Sequence, residues 1–219
     1  MLIVEGQTEQ TFVRDILAPE LGTKSIFLCP ALIGKPGHKG GNKFETAQND
    51  IGRFLKQRND TYVSTFFDFF RLDPHWPGLA KAKTFNSSGK RAEHIEKETH
   101  KEIARLFPKV NVANRFIPFV AMYEFEALLF SNASTLADKI NVKKQLIDAI
   151  RNEYNSPEEI NDGPKTAPSK RLITLCPGYR KIAMGKDIAE AIGIQTIRAE
   201  CPHFDSWLGR LEGLPDLTP

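Results

Sequence analysis

Apolar runs that end in carboxylates recur in this chain, and that recurrence limits the possible folds more than any single motif. Leu2-Ile3-Val4 runs into Glu5, Thr61 to Phe67 runs into Asp68, and Arg115 to Met122 leads through Tyr123 to Glu124 and Glu126. Short runs rich in Val, Ile, Thr and aromatic residues read as strands, and those without polar alternation read as strands covered on both faces, as in a parallel sheet between helices. In open sheets of that kind ligands collect outside the carboxyl ends of the strands. Acids repeated at those ends therefore meet along one sheet edge.

The intervening segments supply the helices. After Glu5, Gly6 permits a tight exit, Thr8 is a plausible N-cap, and Phe12, Val13, Ile16 and Leu17 recur at helical spacing, so Glu9 falls in or near a first helical turn. Taken alone, Glu9 is equally suited to complementing the helix N-terminus, with Glu5 solvated. Pro19 and Gly22 end that pattern, and Ser25 to Ile33 reads as a second strand. Phe44, Ala47, Ile51, Phe54 and Leu55 mark the second helix, and Lys90 to Phe107 the third, with Ile95, Ile103, Leu106 and Phe107 as its narrow apolar stripe. The result is an α/β chain with a four-stranded, mainly parallel sheet flanked by helices over residues 1–131. Residues 132–219 lose the alternation and read as a helical C-terminal extension packing on the same domain, with helices at Lys143 to Tyr154, from about Ala167, at Asp187 to Ile192 and at Phe204 to Leu211.

Between the second strand and second helix, Gly34 to Lys43 holds four glycines, three lysines and a histidine. Such a segment cannot pack a core. It is either a surface loop or a phosphate cradle built from backbone amides with Lys35, Lys39 and Lys43, and it leaves the sheet on the Glu5 edge if the strands are parallel. Neither Walker nor dinucleotide-binding glycine spacing is present. Further basic candidates are Lys170 and Arg171, at the start of a helix that Ser169 could cap. His203, beside Pro202 and Phe204, reads first as a packed residue and second as a contact to nucleic acid. Asp73, before Pro74, starts a turn or adds a ligand.

Composition narrows the class. With 219 residues, 41% hydrophobic and 26% charged, the chain can bury a core and is not disordered in bulk. A net charge of +3 permits nucleic-acid binding without requiring it. No apolar run approaches the ~20 residues of a membrane span, and the N-terminus lacks the layout of a signal peptide. Three widely spaced cysteines indicate neither a disulfide framework nor a zinc ribbon, so a cytoplasmic setting is expected. Clustered carboxylates cannot all stay ionised without cations, and oxygen donors with few histidines suit Mg²⁺ or Mn²⁺. Two such ions roughly 4 Å apart activate the attacking oxygen and stabilise the leaving one in phosphodiester cleavage.

Val4-Glu-Gly-Gln-Thr-Glu9 resembles the opening motif of Toprim domains, the metal-binding module of topoisomerases, primases and the overcoming-lysogenisation-defect nucleases. Glu5-Gly-Gln-Thr-Glu9, Phe67-Asp-Phe-Phe70 with Trp76-Pro-Gly78, Tyr123-Glu-Phe-Glu-Ala-Leu-Leu-Phe-Ser131, Pro168-Ser-Lys-Arg-Leu172 and Cys201-Pro-His-Phe-Asp-Ser-Trp-Leu208 together resemble a Toprim-like family, domain-of-unknown-function 4276. The resemblance implies a Toprim-like, Rossmann-like fold and a metal-dependent nuclease or nicking subunit acting on DNA or RNA. It also implies an AAA-type or SMC-like ATPase partner in bacterial phage defence. Carried over, Glu5 matches the Toprim glutamate, a general acid/base or metal ligand, and Asp68 the first acid of the Asp-x-Asp pair. Phe70 stands where the second aspartate belongs. Glu9, Glu124 and Glu126 are the candidates to replace that ligand. The alternative is a catalytically silent Toprim-like module that binds nucleic acid or the ATPase.

Overall fold

A computed structural model describes residues 1–35, 38–160, 163 and 165–215. The chain opens with strand β1 (Leu2–Val4), followed by helix α1 (Gln7–Phe12), a π-helical turn over Val13–Leu17 and α2 (Ala18–Gly22). Strand β2 (Pro30–Leu32) leads into the short hairpin β3 (Gly34–Lys35) and β4 (His38–Lys39), then α3 (Phe44–Gln57) and β5 (Val63–Asp68). Next come α4 (Leu79–Ala82), α5 (Ser88–Leu106), α6 (Val112–Arg115), β6 (Phe116–Ile117) and β7 (Val120–Ala121). A 3₁₀ segment, Phe125–Ser131, opens the remaining all-helical part: α7 (Ala133–Ile140), α8 (Lys144–Arg151), α9 (Pro168–Leu175), α10 (Lys181–Ile192), α11 (Ile194–Glu200) and α12 (Pro202–Glu212).

The main sheet runs β2-β1-β5-β6, with β7 continuing beside β5, and every pairing in it is parallel. Ile3 sits between Ala31 and Thr65, so β1 is central. Its neighbouring side chains face opposite ways, as the pleat requires. Leu2 and Val4 join Phe66 in one apolar cluster, while Ile3 joins Val63 and Phe67 in the other. The second cluster is closed by α3 and α5 through Ala47, Ile51, Leu55, Ile95 and Ile103. The first is closed by Phe12 and Leu17 and by the C-terminal helices through Leu172, Ile188, Ile197, Phe204, Trp207 and Leu211. Trp207 stacks on Phe119 with ring centroids 4.3 Å apart, and its indole N–H donates to Ser64 Oγ at 3.0 Å. Both faces are thus covered, which is why every residue of β1 and β5 is buried.

The strands are shorter than the apolar runs, for local reasons. Within Ser25 to Ile33 only Pro30–Leu32 pairs with β1, because Ser25 turns the chain at φ 62° and Pro30, which lacks an N–H, is accommodated only as a strand's first residue. The run Arg115 to Met122 is divided at Pro118. There Thr65 replaces the missing ladder: its hydroxyl donates to the Phe119 carbonyl at 3.1 Å and accepts from the Phe119 N–H at 2.9 Å. The strand therefore resumes as β7 and delivers the chain to Glu124. No helix among the described residues is long and apolar enough to cross a membrane.

Candidate functional site

Glu5 emerges at the carboxyl end of β1 and Asp68 closes β5 beside it, with the Asp68 N–H donating to Glu5 Oε2 at 3.2 Å. The helix after Glu5 begins at Gln7, with Gly6 rather than Thr8 at the N-cap position, so Glu9 lies in its first turn. Its carboxylate folds back over that turn: a Cβ on Gly6 would stand 3.0 Å from Glu9 Oε2. The absent side chain at Gly6 makes room for Glu9. Beyond β7, the Phe125 N–H donates to Asp68 Oδ1 at 2.9 Å, which brings Glu124 and Glu126 alongside. All but Glu5 among these acids are buried, Glu124 and Glu126 at 1% exposure each.

The five carboxylates Glu5, Glu9, Asp68, Glu124 and Glu126 share one electrostatic environment centred on Asp68. Burial raises the Asp68 carboxyl far above the usual aspartate range, and the charges of the other four add to it. Burial likewise lifts Glu5 to about 7, helped by Glu9 and opposed by the Asp68 N–H, Arg71 and Lys181. Glu9 and Glu126 are raised for the same primary reason, Glu9 further by Glu126 and Glu126 by Glu124. Such mutual displacement is what crowding of buried carboxyls produces, and it singles out this cluster as the candidate site.

Residues from the C-terminal helices complete the arrangement. Ser169, in the first turn of α9, gives its N–H to Glu124 Oε2 at 2.9 Å and its hydroxyl to Oε1 at 3.0 Å, instead of capping its own helix. Lys181, the first residue of α10, places Nζ 2.9 Å from Glu126 Oε1. That contact is a charge pairing without hydrogen-bond alignment, since among the described residues Glu126 Oε1 and the Tyr179 hydroxyl have no hydrogen-bond partner. Tyr179 is 8% exposed and senses the charges of Glu126 and Glu124, which together with burial push its hydroxyl pKa up. Lys181, Tyr179, Ser169 and Arg71 were not marked by the acid pattern. The one sequence signal for Lys181 is its place in a basic start of a helix after Pro177-Gly178.

The glycine-lysine segment does reach this edge. The Gly41 N–H donates to the Glu5 carbonyl at 3.1 Å, and a Cβ on Gly40, at φ +94°, would stand 3.4 Å from that oxygen. Asn42 hydrogen-bonds the Arg71 carbonyl and accepts from the Asp73 N–H, so Lys43 comes out exposed beside the turn after β5. Lys35 and Lys39 are described as backbone in the hairpin, opposite His38 and Gly34 respectively. Lys170 is exposed one residue beyond Ser169. Arg171 instead turns inward to the Thr166 carbonyl, Glu153 and the Tyr154 hydroxyl. His203 joins a different network, 3.0 Å from Glu96 and stacked on Phe119. Asp73 accepts from the His75 N–H at 3.0 Å and the Phe44 N–H at 3.4 Å, which organises a turn.

Oxygen donors alone, with an orphaned hydroxyl among them, suit a hard divalent cation. The donors are not yet convergent: among the described residues no three His, Cys, Asp or Glu side chains are arranged to hold a metal ion. They are turned instead to the Asp68 and Phe125 amides, Ser169 and Lys181. The donor chemistry fits Mg²⁺ or Mn²⁺, and side-chain rotation is what the geometry still requires.

A family described as Domain of unknown function (DUF4276) matches residues 4–212. No curated protein and no solved structure matches the chain.

Proposed function

We propose that this chain, which belongs to the DUF4276 family, is a Mg²⁺- or Mn²⁺-dependent nuclease that hydrolyses or nicks phosphodiester bonds in DNA or RNA. The observation that carries the reading is the gathering of Glu5, Glu9, Asp68, Glu124 and Glu126 around one sheet edge, each from the end of a parallel strand or the turn after it. When bound, divalent cations lower the pKa of water and offset charge on the leaving oxygen. Glu5, Glu9 and Asp68 supply the ligands nearest the strand ends, and Glu124 and Glu126 those from the turn after β7. Ser169 fixes the Glu124 carboxylate. Lys35, Lys39 and Lys43 on the glycine segment, with Lys170, are the proposed backbone contacts, whereas Arg171 and His203 are engaged with Glu153, Tyr154 and Glu96. Exposed Lys43 and Lys170 are the best placed of these.

The Toprim-like, Rossmann-like identity of the fold belongs to the same proposal, supported by the parallel sheet and the Glu5 and Asp68 positions. So do an AAA-type or SMC-like ATPase partner, a role as effector in bacterial phage defence, and a cytoplasmic setting. A second reading, a catalytically silent Toprim-like module that binds nucleic acid or the ATPase, is favoured by Phe70. That ring is 36% exposed where the second acid of the aspartate pair belongs.

Cleavage of plasmid DNA and of tRNA with Mn²⁺, wild type beside Glu5→Ala, separates the two. The nuclease reading expects products that vanish with Glu5→Ala. Equal cleavage by both proteins, or none by either with the ATPase supplied, overturns it.

A further inference from the structure

Resting on the divalent-metal reading, we infer that Lys181 is a resident counter-ion that holds Glu126 until a divalent cation displaces it, so that loading the ion releases an ammonium group to the mouth of the site. The pairing is built for exchange. Lys181 Nζ meets Glu126 Oε1 at 2.9 Å, and the lysine side chain is 37% exposed against 2% for the glutamate. The acid is fixed and the base can leave. Among the described residues Lys181 has no second ion pair or hydrogen bond, and the more distant charges of Glu124 and Asp68 add to its hold.

The space it guards is polar on more than one side. The Tyr179 hydroxyl, buried and without a hydrogen-bond partner among the described residues, faces the same carboxylates, and Glu126 Oε1 has Lys181 as its ion-pair partner. A single ammonium also cannot balance the acids it senses, Glu126, Glu124 and Asp68. A divalent ion brings twice the charge in a smaller radius and accepts several oxygens at once, so it outcompetes one misaligned ammonium for Glu126. Once displaced, Lys181 is repelled by the incoming charge and extends into water, where an anionic backbone would approach.

The exchange is tested on the full chain by Mn²⁺ titration, counting free Mn²⁺ by electron paramagnetic resonance, for wild type, Lys181→Met and Lys181→Arg. Competition predicts that Lys181→Met binds Mn²⁺ about three- to tenfold more tightly, the range expected for removing one partly exposed charge pair, while Lys181→Arg stays near wild type. Equal or weaker binding by Lys181→Met, with wild type binding normally, overturns the inference and leaves the metal reading standing. Binding by neither protein overturns both. Acetylation of wild type by acetic anhydride, read by mass spectrometry, needs no variant: Mn²⁺ is expected to raise labelling of Lys181 several-fold relative to exposed Lys139. An unchanged ratio in protein that binds Mn²⁺ overturns the release.

Discussion

Ser169 holds both oxygens of Glu124, its N–H 2.9 Å from one and its hydroxyl 3.0 Å from the other. A serine in the first turn of a helix ordinarily serves that helix; here it serves a buried acid 45 residues earlier in the chain. The Pro168-Ser-Lys-Arg segment thereby becomes part of the strand-end site, and the contact explains how Glu124 is tolerated at 1% exposure.

Ser169→Ala is expected to lower stability by about 1–3 kcal/mol, because the hydroxyl bond to a buried carboxylate is lost and one oxygen is left without its donor. Urea denaturation measures the loss. A stability equal to wild type would show that Glu124 does not depend on this clasp.

Glu9→Gln is expected to weaken Mn²⁺ binding about as much as Glu5→Gln, each by about tenfold or more, since both acids sit beside Asp68 and a directly held ion depends on each ligand. Calorimetric titration of the two variants decides it. Wild-type affinity in Glu9→Gln would remove Glu9 from the ligand set.

The ion-free protein should lose stability as pH rises. Glu5 has a folded-state pKa of about 7, above its ordinary value of 4.5. The folded state therefore holds a proton that the unfolded chain has released across that interval, so stability is full below it and falls until pH passes about 7. His203, also raised, contributes with the same sign at higher pH. Thermal melts from pH 5 to 8 in EDTA should decline, and Glu5→Gln should flatten the lower part of the slope. A melting temperature that rises over this range in wild type would contradict the burial of Glu5. Added Mg²⁺ should reduce the decline by favouring the ionised acids.

Gly40→Ala should cost about 1 kcal/mol or more, because φ +94° disfavours any Cβ and this one meets the Glu5 carbonyl. The neighbouring Gly41 bond to that carbonyl should loosen with it, weakening nucleic-acid binding. Salt-dependent binding of a fluorescent oligonucleotide, compared with Gly22→Ala where the added Cβ meets nothing within 4 Å, is the measurement. Equal losses in the two variants would detach the glycine segment from the site.

Trp207→Ala should lower stability by about 3–5 kcal/mol, since the indole is 1% exposed, stacked on Phe119 and bonded to Ser64. Guanidinium unfolding followed by circular dichroism reads this. A loss under about 1 kcal/mol would mean that α12 is not tied to the sheet as described.

Glu5 and Asp68 are legible because each depends on local pattern: Leu2-Ile3-Val4 is apolar, Thr61 to Phe67 is rich in Val, Thr, Tyr and Phe, and the residue that ends such a strand stands at the sheet edge. The helices Phe44–Gln57 and Ser88–Leu106 were legible from their apolar spacing. Strand lengths were not, because Pro118 divides one run and Thr65, a residue of another strand, bridges the break. Lys181, Tyr179 and Ser169 were not legible either. Their meaning comes from tertiary packing of α9 and α10 against the Phe125–Ser131 segment and α1, and no periodicity within residues 168–181 records which acid they will meet.

The lateness of Lys181 in the chain has a consequence for synthesis. On the ribosome the strand ends and turns bearing Glu5, Asp68, Glu124 and Glu126 emerge long before residue 181, and Phe204 and Trp207, which help seal the adjoining apolar face, emerge later still. The nascent sheet is therefore left without the Lys181 counter-charge and with an open hydrophobic face until residues 181–207 have emerged, the interval in which such surfaces invite misassociation. Refolding of the urea-unfolded full chain with and without Mg²⁺, followed by circular dichroism, would show whether the ion is needed as early as folding.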